Sequence, residues 1–124
     1  MNLSDTMKEA LNQVAINWEL VNISELDVPV LIVLDYSPSD NQPPLSIAFD
    51  CSGAPKCWIT ASKVCTINGN SPSIHPDYRE FCFRNRKFYP YSIQAFSNTI
   101  FQDIREFKSA CQALYQHADW SDEP

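Results

Sequence analysis

The spacing of apolar residues changes twice along this chain and divides it into three parts. The first and last parts carry apolar residues every three to four positions, which is the period of a helix with one buried face. The first stripe consists of Met7, Leu11, Val14 and Trp18, and the last of Ile100, Ile104, Phe107, Cys111, Leu114 and Tyr115. The spacing predicts an amphipathic helix from Ser4 to about Leu20. It predicts a second from Ser97 onward, with Ser97 or Asn98 as its N-cap.

The middle part of the chain is rich in β-branched and aromatic residues, which predicts short strands. Val28 to Tyr36 is a nearly continuous apolar run, typical of a strand that is buried on both faces. Leu45 to Asp50 alternates apolar with polar residues, as a half-buried strand does. Cys57 to Ile67 breaks in its middle and predicts two short strands. The middle part therefore predicts a sheet built from consecutive strands.

A hairpin is predicted within Glu80 to Ile93, with residues 84–87 at its tip and aromatic strands on either side. Pro90 lacks a backbone donor, so the returning strand is expected at a sheet edge. The order of elements predicts an α+β fold in a single domain of residues 1–118. An antiparallel β-meander of four to six strands would be flanked by an N-terminal and a C-terminal amphipathic helix packed on one face. Residues 119–124 are expected to form an acidic, flexible tail.

Length and cysteine content indicate a cytoplasmic protein that folds without covalent cross-links. A chain of 124 residues can bury a sizeable apolar core. Its first residues lack the basic and apolar regions of a secretory signal, and its longest apolar run, Val30 to Leu34, is far too short to span a membrane. No contact with a membrane is therefore expected. Five cysteines are an odd number, so we expect reduced thiols.

The distribution of charge is uneven. The formal net charge is −6, which opposes general binding to nucleic acid and favours basic partners. One window, Arg79 to Lys87, has a net positive charge, because it contains four basic residues and a single acidic residue, Glu80. Aromatic residues are interleaved with these cations, and this composition is enriched at binding hot spots. The window is the leading candidate for a contact surface.

The function that these features favour is a non-enzymatic interaction protein. Such a protein binds a partner protein and blocks, shields or chaperones it, as small acidic immunity and inhibitor proteins do. The partner is expected to be basic or to handle nucleic acid. The candidate contact residues are those of the basic aromatic segment (Arg79, Arg84, Arg86, Lys87, Tyr89 and Tyr91) and four acidic residues (Glu25, Asp27, Asp35 and Asp40).

A small cysteine-dependent enzyme or a metal- or ligand-binding domain is the first alternative. Its candidate residues are Cys51, Cys57, Cys65, His75 and Cys82. Their spacing is unlike that of structural zinc sites, which pair ligands two to four residues apart, so no metal is expected. Gly53 and Gly69 are the two glycines of the chain, and phosphate-binding loops need several at fixed spacing. No nucleotide or other cofactor is therefore expected.

Two further readings remain open at the level of the sequence. Asp35 and Asp50 each end a predicted strand and would have to converge for acid–base chemistry, although an aspartate at such a position more often caps a turn. Nucleic-acid or phosphate binding through residues 79–91 would combine stacking rings with cations. The acidic remainder of the chain opposes it.

Overall fold

The computed structural model describes residues 4–24, 26, 30–50, 57–60, 79–91 and 103–118. This part of the chain contains two helices and six strands. They are α1 (Asp5–Val14), β1 (Asn17–Val21), β2 (Leu31–Tyr36), β3 (Leu45–Asp50), β4 (Cys57–Ile59), β5 (Phe81–Phe83), β6 (Arg86–Tyr91) and α2 (Ile104–His117). The predicted second strand within Cys57 to Ile67, the acids of residues 25 and 27, and the predicted tail 119–124 lie outside the described residues.

The first helix is shorter than predicted. It starts after Ser4, whose hydroxyl accepts a hydrogen bond from the backbone N–H of Met7 at 3.2 Å. It ends at Val14, and the chain turns into β1, so the predicted helix to Leu20 is wrong. The spacing misleads because Trp18 continues the helical stripe and also begins an alternation of apolar and polar residues. Pairing with β2 decides between the two, since it satisfies the backbone of a β-prone segment.

All six strands are antiparallel, in the order β1-β2-β3-β4-β6-β5. The first four follow one another as in a meander, and the hairpin of β5 and β6 joins through its second strand. The prediction that Pro90 places its strand at an edge is therefore wrong. Phe83 and Arg86 close a two-residue turn, so the backbone nitrogen of Arg86 faces β5. Backbone nitrogens alternate in direction along β6, and the ring nitrogen of Pro90, four residues later, therefore also faces β5. The β5 ladder ends at the pair Phe81 and Phe88, so no ladder hydrogen bond is lost.

Both helices pack on the same face of the sheet, as predicted, and form the first core. Its buried members from the helices are Ala10, Leu11, Phe107, Ala110, Cys111 and Leu114, and those from the sheet are Ile32, Leu34, Tyr36, Leu45, Ile47, Phe49, Cys57 and Ile59. The ring of Phe107 meets that of Phe49 edge to face, with centroids 6.0 Å apart. The α+β fold class is confirmed. The second helix begins at Ile104 with Asp103 as its N-cap, and the predicted caps Ser97 and Asn98 lie outside the described residues.

A second core lies on the opposite face of the sheet. It contains Ile23, Leu26, Leu31, Val33, Ala48, Trp58, Phe81 and Phe88. The Trp58 indole is fully buried, donates a hydrogen bond to the carbonyl of Arg79 at 2.8 Å and meets the Phe81 ring edge to face. Because this face is covered, β2 is buried on both faces as predicted. For the same reason the prediction that β3 is half-buried is wrong. Ser46 and Ala48, on the face opposite the helices, are also buried.

The turn between β5 and β6 consists of Arg84 and Asn85, both in the left-handed region with φ of 55° and 62°. The type I′ turn of a two-residue hairpin needs this conformation at both central positions, and asparagine adopts it more readily than most residues other than glycine. The predicted hairpin is confirmed, but its tip is this pair alone, since residues 86 and 87 belong to β6.

Asn85→Ala is expected to lower the free energy of unfolding by about 1 kcal/mol, because alanine resists a positive φ. Asn85→Gly is expected to leave the free energy of unfolding within about 0.5 kcal/mol of the wild-type value or to raise it. Urea unfolding of the two variants measures the difference. Equal stability of the alanine and glycine variants would contradict the turn.

Candidate functional site

Four polar side chains from four segments of the chain meet on the sheet face opposite the helices. We call Asp35, Ser46, Thr60 and Arg86 the concave polar cluster. The Ser46 hydroxyl donates to Asp35 Oδ1 at 2.6 Å. Arg86 Nη1 donates to Ser46 Oγ at 2.9 Å, and Arg86 Nη2 donates to Thr60 Oγ1 at 3.2 Å. The cluster therefore joins β2, β3, the end of β4 and β6.

The register of the strands brings the cluster together. Asp35 and Ser46 are direct partners in the β2–β3 ladder, and the Thr60 N–H donates to the Ser46 carbonyl at 3.2 Å. Ser46 and Thr60 are each only 5% exposed. Buried hydroxyls need hydrogen-bond partners, and the carboxylate and the guanidinium supply them. The arrangement holds the hairpin arginine in place without requiring a ligand.

A second contact joins the two ends of the strand order. Arg84, at the hairpin turn, forms an ion pair with Glu19 of β1. Since β1 and β5 are the outer strands, the sheet must curl for this pair to meet. Glu19 pairs with Val33 of the second core, so the face opposite the helices is the concave one. The two side chains are 68% and 38% exposed, so the ion pair contributes at most about 1 kcal/mol. Arg84 also lies over the Phe83 ring, 5.1 Å from its centroid.

The cations of the predicted basic aromatic segment divide between the two faces of the hairpin. Arg84 and Arg86 bond towards the concave face, whereas Lys87 is the cross-strand partner of Cys82 and its side chain pairs with Glu80 at 3.1 Å. That contact raises the pKa of Lys87. The ammonium group also lies 5.8 Å from the centroid of the half-buried Tyr89 ring. Lys87 therefore does not share a surface with Arg84 and Arg86.

The candidate acidic residues are also separated. Asp35 belongs to the concave polar cluster, and Asp40 is exposed in the turn after β2. Glu25 and Asp27 lie outside the described residues, as do four more acids: Asp77, Asp119, Asp122 and Glu123. Two of the basic residues, Lys56 and Lys63, lie there as well. The greater part of the net negative charge is thus carried by these segments.

The described cysteines occupy two kinds of environment. Cys57 and Cys111 are fully buried in the first core, and burial raises the pKa of both thiols well above the ordinary value of 9.0. Cys82 is exposed on β5. Cys51, Cys65 and His75 lie outside the described residues. Within the described segments, no group of three or more histidine, cysteine or acidic residues is placed to hold a metal ion.

Burial is expected to separate the described thiols in reactivity. In the native protein Cys82 should react with iodoacetamide at least about 100-fold faster than Cys57 or Cys111, because the buried thiols are protonated and react only after the structure opens. Peptide mass spectrometry of a labelling time course measures the three rates. In urea the rates should become similar. Rapid native labelling of Cys57 would contradict its environment and favour a reactive thiol.

The same two thiols predict a loss of stability at high pH. When folding raises the pKa of a group, its contribution to the free energy of unfolding is complete below the pKa that the group has in the unfolded chain. The contribution declines above that pKa, because the unfolded chain then releases protons that the folded chain retains. The free energy of unfolding is therefore expected to fall as the pH rises above about 9. Urea titrations at pH 7.5 and 10 measure this decline, which should be smaller in Cys57→Ala. An equal decline in both proteins would contradict the assignment.

Sequence reasoning missed three residues of the site. Ser46 and Thr60 belong to no sequence motif, and the register of the strands brings them into the concave polar cluster. The helical spacing that ends at Trp18 predicts a helix to about Leu20, which conceals the position of Glu19 on β1. The alternation in Leu45 to Asp50 was the available signal, because it places Ser46 on the face opposite the helices.

The fold and the concave polar cluster define an α+β protein with a curled, six-stranded antiparallel sheet in its described part. No protein-family model matches the chain, and neither a curated protein nor a solved structure does. Among the described residues, neither helix is long and apolar enough to cross a membrane.

Proposed function

We propose that this chain is a non-enzymatic cytoplasmic protein that binds a basic partner protein and blocks, shields or chaperones it. The observation that carries the proposal is the use of the hairpin arginines within their own domain. Arg86 donates to two buried hydroxyls, and Arg84 pairs with Glu19. Because these arginines bond within the domain, we take the net charge of −6 as the electrostatic property that attracts a partner.

Electrostatics favours a basic partner over nucleic acid. An acidic protein is steered towards positive surfaces and repelled from polyphosphate backbones. Glu25, Asp27 and Asp40 are the candidate contacts in the first half of the chain, and the acids of residues 119–124 extend the same charge. A phosphate ligand at the hairpin would have to compete with Glu19 for Arg84.

The environment of the two buried thiols supports a binding role over cysteine catalysis. A nucleophilic cysteine needs a lowered pKa and access to substrate. Cys57 and Cys111 have raised pKa values and are buried. Their surroundings are those of small apolar residues within a core.

Affinity capture tests the proposal. The tagged protein is incubated with nuclease-treated lysate of its source organism at 50 mM and 300 mM salt, beside two charge variants. One variant replaces the acids (Glu25→Gln, Asp27→Asn, Asp40→Asn), and the other replaces an exposed hairpin cation (Arg84→Gln). We expect one basic protein to be captured, less of it at high salt, and its loss from the acid variant alone.

Two outcomes would contradict the proposal. Capture that the acid variant retains and Arg84→Gln loses would move the binding surface to the hairpin. Failure to capture any specific protein under either condition would remove the basis for a binding role. Circular dichroism of each variant checks that the fold is intact before capture is compared.

A further inference from the structure

The β5–β6 hairpin is attached to the rest of the sheet by few backbone hydrogen bonds. Its neighbour β4 pairs with β6 over three residues, whereas β2 and β3 pair over six. Pro90 belongs to this ladder, but its ring nitrogen faces β5, so the ladder with β4 loses no hydrogen bond. Among the described residues, the hairpin is therefore joined to the sheet by a ladder half as long as that between β2 and β3.

Side chains supply the remaining attachment, and they reach strands that do not pair with the hairpin. Arg86 reaches Ser46 of β3, and Arg84 reaches Glu19 of β1. The hairpin also covers the second core through Phe81 and Phe88, whose rings stack with centroids 4.9 Å apart. The first core lies on the other face and contains no described residue of β5 or β6. The described side chains of the hairpin therefore contribute nothing to that core.

We propose that the hairpin is a strap that opens as a unit while the helix-side core stays folded. The burial of Phe81 and Phe88 and the two arginine contacts hold the strap closed. Opening exposes the concave face around Trp58, Val33 and Ala48. The left-handed conformation of Arg84 fits this role. The residue is sterically disfavoured there, yet its side chain makes the contact that reaches the far strand.

Amide hydrogen exchange tests the strap in the intact protein. In the wild type, the amides of β5 and β6 are expected to open at least about tenfold more often than those of β2 and β3. Arg86→Ala should raise exchange of the hairpin about tenfold further, because it removes charged hydrogen bonds, and leave β2 and β3 unchanged. Arg84→Ala, a milder change, should raise it about two- to fivefold.

Lys87→Ala is the matched control. It removes a cation from the same hairpin, but that cation bonds to Glu80 within the hairpin region and not to another strand. It should leave the opening rate of the hairpin within about twofold of the wild-type rate. Equal opening of the hairpin and the β2–β3 pair would overturn the strap. So would acceleration of both regions together by the arginine variants, or of neither region by both variants.

Discussion

Trp58→Ala is expected to lower the free energy of unfolding by about 3–5 kcal/mol, which is the range for removing a large buried aromatic side chain. The indole is fully buried in the second core, and its N–H bonds to the Arg79 carbonyl. Since domains of this size are stable by about 5–15 kcal/mol, the substitution removes a large share of the total. Urea unfolding followed by circular dichroism measures the loss.

Trp58→Phe separates packing from hydrogen bonding at the same position. It keeps a ring beside Phe81 but removes the donor to Arg79, so a smaller loss of about 1–2 kcal/mol is expected. A loss below about 1 kcal/mol in Trp58→Ala would show that the second core contributes little to stability, contrary to its burial.

Phe107→Ala is expected to cost a similar 3–5 kcal/mol through the first core. The Phe107 side chain is fully buried and packs from α2 against Phe49 of β3. Removing it leaves a cavity between the helix and the sheet that neighbouring side chains fill only in part. The free energy of unfolding in urea measures this cost.

Lys108→Ala is the matched control on the same helix, because the Lys108 side chain is exposed. A change within about 0.5 kcal/mol is expected there. If the two variants cost the same, α2 would not pack against the sheet through the face that contains Phe107. A large loss at Phe107 and none at Lys108 would agree with the observed face.

Periodicity was sufficient to predict the layers of the fold. The stripe of Phe107, Cys111 and Leu114 identified the face that α2 buries, and the apolar run before Tyr36 identified β2 as a strand buried on both faces. These signals are local and repeat along the chain, so a single sequence carries them. Periodicity failed at β1, where Trp18 fits both a helical and an alternating pattern and pairing with β2 decides the outcome.

The concave polar cluster could not be predicted in the same way. Arg86 and Ser46 are 40 residues apart in the sequence, and their contact depends on the strand order in which β6 follows β4. A single sequence contains no signal for that order. The composition of residues 79–87 indicated a contact surface, but the length of the arginine side chain allowed Arg86 to bond within its own domain.

The two cores differ in the elements that cover them. Two helices and the central strands make the helix-side core, while a two-stranded hairpin and residues near Ile23 cover the other face. Most of the net negative charge, by contrast, belongs to segments outside the described residues.

A double-mutant cycle between Arg86→Met and Ser46→Ala, measured by urea unfolding, decides most directly whether the hairpin arginine belongs to the fold or to a binding surface. The cycle isolates the interaction between the two side chains from the other effects of each substitution. A coupling free energy of about 1–2 kcal/mol is predicted, as for a partly exposed charged hydrogen bond. Additivity within about 0.3 kcal/mol would contradict the contact and leave Arg86 available to a partner.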